Sequence, residues 1–289
     1  KKLPKLSFFY KHNNFLLKLM YDFIRRDFMN KNIFYLTALL FIFGCSNQDS
    51  EPEAMETAGA QSLLLEYMWC DFGPNTSGES LDKLVADFNE VTKNSDHPVE
   101  SAWGYFPTFE TDAYDAIWLN VWSDEDQRNA GWKDWVADSQ DDFEAKHNDT
   151  LNCREDKIFQ FTGTAGMTPR VEWTAEPPFN ADFYFCTFKG ENGMDELMPI
   201  MADYDAWVEG TEEDSMWYVW HDPLFDTSNA SGSVQDGYDY AIGFYWQNAA
   251  EREAGYSNYG ETDFGSRFDE IESCETLEFE GYPIVQPSS

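Results

Sequence analysis

Hydrophobic and polar positions along the chain follow two periods, and the order in which the periods alternate occurs twice. Leu63 to Cys70 is an apolar run of strand length. Ser80 to Val91 then carries Leu81, Leu84, Val85, Phe88 and Val91 at helical spacing, which predicts an amphipathic helix. Two further strands are expected over Glu100 to Phe106 and Asp115 to Trp122. A second helix follows, then a last strand from Cys153 closing on Gly163. The second round has a strand over Phe183 to Phe188 and a helix over Met194 to Val208. Its apolar stripe is Leu197, Ile200, Met201, Tyr204 and Val208, with Pro199 expected in the first turn. Strands over Ser215 to His221 and Tyr238 to Trp246 flank a longer Ser/Gly/Asp-rich loop, Asp222 to Gly237. A helix and a strand from Cys274 closing on Gly281 complete it.

At one place the repetition is literal. Trp122-SDEDQ-Arg128-N-Ala130-Gly131-Trp132 returns 124 positions later as Trp246-QNAAE-Arg252-E-Ala254-Gly255-Tyr256, the pattern W-x5-R-x-A-G-[WY]. Upstream, Glu66-YMW-Cys70 pairs with Asp182-FYF-Cys186. Each round reads βαββαβ, the ferredoxin-like unit, so the fold class is α+β with two ferredoxin-like repeats. The expected bounds are 62–165 and 182–285, joined by a linker over 166–181.

The element order, with an aromatic-ended third strand running into the second helix, resembles the dimeric α/β-barrel superfamily typified by antibiotic-biosynthesis-monooxygenase-like domains. Here one chain supplies both halves, and the resemblance covers Leu63 to Val285. It implies a pseudo-dimeric α/β barrel in a monomeric chain, with a central cavity where ligands sit. It also implies the strand order 4-1-3-2, which sets the end of strand one beside the start of strand four. Cys70 with Cys153 and Cys186 with Cys274 fall at those two places, so two disulfides within the repeats are expected. Metal ligation and redox catalysis are the rival uses of these cysteines, but the C-x-x-C spacing usual for them is absent.

Alternation along Asp115 to Trp122 puts Trp118, Asn120 and Trp122 on one face and Ile117, Leu119 and Val121 on the other. The aliphatic set suits a helix layer, so the Trp and Asn set is expected inside the barrel, with Trp246 as its counterpart in the second half. Asn120 there needs a partner, either protein or ligand. His221 ends the aromatic strand Trp217-YVW-His221 and is either a cavity-facing general base or a surface histidine beside Asp222. His97 and His147 sit in loop-like, solvated contexts. Arg128 and Arg252, at equivalent places in a chain short of bases, either clamp an anionic ligand or form structural ion pairs with the acids around them. Haem-degrading members of the superfamily also use Asn and Trp, but their accompanying histidine has no counterpart here. No metal and no cofactor is expected.

Charge narrows the partners. Lys plus Arg number 19 against 54 Asp plus Glu in 289 residues, a formal net charge of −35, which repels nucleic-acid phosphates. Hydrophobic residues make up 42% of the chain and aromatics 17%, ample for a large core. Residues 29–44 read as a signal peptide with a basic start at Lys31 and an apolar run from Ile33 to Phe43. Its end, Ile42 to Ser46, resembles the lipobox of bacterial lipoproteins, with Cys45 as the lipidated residue and Ser46 implying the outer membrane. Residues 1–28 are expected to be an upstream extension and 45–61 a flexible tether. The expected protein is therefore an outer-membrane lipoprotein, periplasmic or surface-facing. The first functional reading is a binder of a small apolar or aromatic ligand in the barrel. The alternatives are a cofactor-independent monooxygenase-like enzyme and a structural or interaction protein with a filled barrel. An open cavity holding both Asn120 and His221 favours the enzyme, an open apolar cavity the binder, and a packed interior the third reading.

Overall fold

The computed structural model describes residues 62–286 apart from 175, 213 and 230–236. The signal peptide, Cys45, the tether and the upstream extension lie outside the described residues. The first half runs β1 (Leu63–Phe72), α1 (Gly78–Asn94), β2 (Ser101–Pro107), β3 (Ala116–Trp122), α2 (Glu125–Asp138), α3 (Gln140–His147) and β4 (Leu151–Met167). The second runs β5 (Phe179–Phe188), α4 (Met194–Glu209), β6 (Trp217–Pro223), β7 (Tyr240–Trp246), α5 (Ala249–Tyr259), α6 (Phe264–Ile271) and β8 (Glu272–Val285). The second helix of each repeat is thus a helix pair. The strands bounding the connection leave residues 168–178 between them. Pro199 is the sixth residue of α4, beyond the first turn where it was expected, so it takes one backbone bond out of the helix interior.

All eight strands close into one antiparallel barrel in the order β1-β3-β2-β8-β5-β7-β6-β4. Each half keeps the order 4-1-3-2, and the halves join through β2 with β8 and β4 with β6. The expected pseudo-dimeric α/β barrel is what the chain forms. Cys70 bonds Cys153 across β1 and β4, and Cys186 bonds Cys274 across β5 and β8. Cys186 and Cys274 also lie near Glu272 in a group with metal-ligand spacing, but their sulfurs are spent on each other.

Local chemistry sets the helix starts. Ser77 caps α1 by accepting from the Ser80 amide at 3.1 Å while Ser80 Oγ accepts from the Ser77 amide. Asp124 caps α2 and Asn248 caps α5, each two residues beyond the repeated Trp.

An eight-stranded barrel is just wide enough for side chains to fill, and here they do. Tyr67, Tyr105, Phe161, Phe179, Phe183 and Phe279 meet mostly edge to face, with Phe183 centroids 5.5 Å from Tyr105 and 5.6 Å from Phe279. The glycines that close the last strands make room for this. A Cβ on Gly281 would stand 2.2 Å from the Phe179 ring, and one on Gly163 would stand 2.5 Å from Leu65. The residual void in the lumen is about 60 Å³.

Helices α1 to α3 cover the first half's sheet and α4 to α6 the second's, each over its own apolar cluster. Coverage is uneven: α2 buries only Gly131 fully, and α5 buries no residue fully.

Candidate functional site

Register decides which side chains meet. In antiparallel pairs directly opposed residues share a face. Leu65 opposes Val121, Tyr67 opposes Leu119 and Trp69 opposes Ile117, and these point into the lumen. Trp118, Asn120 and Trp122 oppose Met68, Glu66 and Leu64 and point outward beneath the helices. The expected orientation of β3 is therefore inverted. The lumen is already crowded by rings from β1, β5 and β8, so the slimmer aliphatic side chains fit inward. The tryptophans instead fill the wider wedge between sheet and helices. Trp246 lies in the equivalent layer of the second half. Only His221, of the five cavity candidates, faces the lumen, so the five are spread over three compartments.

His221 is buried, not at the surface beside Asp222. Its Nδ1 lies 2.9 Å from the Val219 carbonyl oxygen, which can only accept, so Nδ1 carries the proton. Nε2 then accepts from the Tyr67 hydroxyl at 2.7 Å. Tyr245 bonds both Tyr67 and Tyr105, which extends the network across the lumen. Burial pushes the His221 pKa down to about 4, against a smaller upward pull from the Val219 carbonyl. The imidazole is neutral at neutral pH and sealed, so it serves as a core group and not as a general base for an outside substrate. As pH falls below about 6.5 the unfolded chain binds this proton before the folded one does, so stability is lost between about pH 6.5 and 4. Urea unfolding of wild type and His221→Asn should show wild type losing about 3 kcal/mol more than the variant across that window. A pH-independent gap would contradict the buried neutral imidazole.

The repeated motif forms a buried anchor in each half. Glu66, fully buried on β1, accepts from Arg128 Nε at 2.5 Å, Trp132 Nε1 at 2.7 Å and Gln160 Nε2 at 3.1 Å. Asp182, at the matching place on β5, accepts from Arg252 Nε at 2.7 Å and from the Tyr256 hydroxyl, which also meets Tyr184 at 2.6 Å. Arg252 further pairs with Glu278 at 2.9 Å. Burial pushes the Asp182 carboxyl above its ordinary value, although Arg252 and Tyr256 pull it back toward ionisation. Both arginines are thus held by protein carboxylates, and the ion-pair reading stands over the anion clamp. Their partners lie on the sheet, not among the helix acids beside them. The leading Trp of the motif packs where a Cβ on Gly131 would stand 2.5 Å from the Trp122 ring, and one on Gly255 would stand 3.3 Å from Trp246 Nε1.

Beside each anchor lies a cleft between helices and sheet. In the first half it encloses about 510 Å³ and is lined by Trp118, Trp122, Trp132 and Trp135 with Phe88 and Phe143. The rings contact one another, with Phe88 4.8 Å from Trp118 and Trp135 5.1 Å from Phe143. Asn120 borders this cleft and accepts from Trp118 Nε1 at 2.9 Å. The second cleft, about 310 Å³, includes Trp246, Trp207, Trp220, Tyr204, Tyr184 and Tyr256. Trp122 Nε1 and Trp246 Nε1 are both buried without a hydrogen-bond partner.

His97 stands at the rim of the first cleft, 2.7 Å from Asp134. His147 is buried in α3 and bonds Asp87 at 3.0 Å, so its expected solvated loop position is corrected. No histidine borders the second cleft. Of the described histidines, His97 alone borders the first cleft.

Glu66 and Asp182 were legible only as repeat positions. The aromatic wall of the first cleft had a signal in Arg128, Trp132 and Trp135, spaced by four and three on one helix face.

No family model matches the chain, and no curated protein matches it. Similar solved structures include a chlorite dismutase from Candidatus Nitrospira defluvii, 8% identical over 78% of this chain and 93% of its own, with a TM-score of 0.49. Another is an anthrone oxidase-like protein, 9% identical over 79% of this chain and 96% of its own, with a TM-score of 0.45. Likeness at this level transfers no residue role.

Proposed function

We propose that the protein binds a small apolar or aromatic molecule in the helix–sheet cleft of its first half. The barrel lumen, where the sequence first suggested such a ligand, holds about 60 Å³ and is filled by the chain's own rings. The observation that carries the reading is the cleft itself, about 510 Å³ walled by four tryptophans, a size and lining suited to small organic ligands. The monooxygenase alternative finds less support, because Asn120 and His221 face opposite sides of the sheet and share no cavity. The packed lumen favours a purely structural role for the barrel, which then acts as the scaffold on which the cleft is built. The two disulfides support an oxidising compartment, as the lipoprotein reading of residues 29–45 requires. On this reading the chain is a monomeric lipoprotein anchored at the outer membrane through Cys45.

Titration with the neutral fluorophore N-phenyl-1-naphthylamine should give saturable energy transfer from tryptophan. Trp135→Ala, at a half-buried wall position, should weaken binding about tenfold, as expected for loss of one aromatic contact. Absence of saturable binding, or binding indifferent to Trp135→Ala and to the cleft-filling change Val91→Trp, would sink the reading.

A further inference from the structure

We propose that the ligand of the first-half cleft is a hydrophobic organic cation, an inference that rests on the reading of that cleft as a binding site. The cleft is lined by six carboxylates, Glu90, Asp96, Asp134, Asp138, Glu144 and Glu155, and by no Lys or Arg. Four of these carboxylates have neutral or imidazole partners: Gln140 bonds both Glu144 and Glu155 at 2.7 Å, Asn94 bonds Glu90, and His97 bonds Asp134. The field inside an aromatic-walled, partly desolvated cleft of this make-up is negative, and the net charge of the chain adds to it.

The walls suit the same class. Indole faces are the strongest cation–π partners. Trp132 already has the Arg128 guanidinium 5.4 Å from its ring centroid. Among the described residues no guanidinium or ammonium covers Trp118, Trp122 or Trp135. A ligand ammonium would therefore meet the partly exposed Trp135 ring on the apolar side and carboxylates at the rim.

The test is a matched set of probes on the folded, oxidised protein: benzoylcholine, its neutral carbon isostere 3,3-dimethylbutyl benzoate, and benzoate, followed by tryptophan quenching and calorimetry. Benzoylcholine should bind about tenfold tighter than the isostere, with the ratio shrinking in high salt, and benzoate should bind weakest. The double change Asp138→Asn with Glu144→Gln, at rim positions away from the buried anchor, should cut the cation preference about threefold and leave the isostere unchanged. Equal binding of cation and isostere, or a preference untouched by the rim change, overturns the cation inference and leaves the cleft as a binding site. If neither probe binds, the cleft reading falls and the inference with it.

Discussion

Arg128→Ala should cost about 3 to 5 kcal/mol of unfolding free energy, a large share of what holds an ordinary domain together. Glu66 is fully buried on β1, and Arg128 supplies its only ionic partner among the described residues. With the guanidinium gone, Trp132 and Gln160 still donate to the carboxylate, but no positive charge offsets its removal from water. Adding Glu66→Gln should recover much of the loss, because a neutral amide keeps the hydrogen bonds and needs no counter-charge. Arg252→Ala should cost less at mildly acid pH than at pH 8. Burial already holds the Asp182 carboxyl above its ordinary value, so removing the cation lets it take up a proton as pH falls. Urea unfolding of the three variants at both pH values checks the set. A loss below about 1 kcal/mol for Arg128→Ala, within the range of an exposed pair, would show that the repeated motif is not a structural anchor.

Removing both disulfides should bring the fold to the edge of stability. The bridges span 83 and 88 residues. In the chain-entropy model a loop of that length contributes about 4 to 5 kcal/mol, so the two together approach the whole net stability of a typical domain. Each bridge closes one repeat, tying β1 to β4 or β5 to β8, and neither crosses between the halves. Loss of either should therefore be felt mainly in its own repeat. Paired changes Cys70→Ser with Cys153→Ser, and Cys186→Ser with Cys274→Ser, should each lower the thermal midpoint by roughly 10 to 20 °C, and the four-fold variant should be largely unfolded at 37 °C. A four-fold variant that melts with the wild type would mean that the strand ladders alone hold the repeats.

The repeat architecture was open to reading because period and punctuation are local properties. Leu81, Leu84 and Phe88 announce a helix, and the cysteines recur at strand positions that only one strand order brings together. The repeated Trp, Arg and Gly announced a shared structural task without naming it. The facing of β3 was not open in the same way. Ile117, Leu119 and Val121 and the set Trp118, Asn120 and Trp122 are both apolar enough to be buried, and β3 is in fact covered on both sides. A strand alone has no preference between two buried faces, and a one-residue change of phase exchanges them completely. The choice fell to volume: rings from β1, β5 and β8 fill the lumen, which leaves aliphatic side chains as what fits there.

The sequence by itself determined two ferredoxin-like units and the strand order that brings their cysteines together, because each follows from spacing and period. Only the tertiary structure decided that Arg128 and Arg252 pair with the sheet carboxylates Glu66 and Asp182, that His221 is sealed in the core, and that the open space lies under the helices rather than in the barrel. Those outcomes depend on how volumes from distant strands share a closed lumen, a sum over the whole barrel that no local stretch of chain contains.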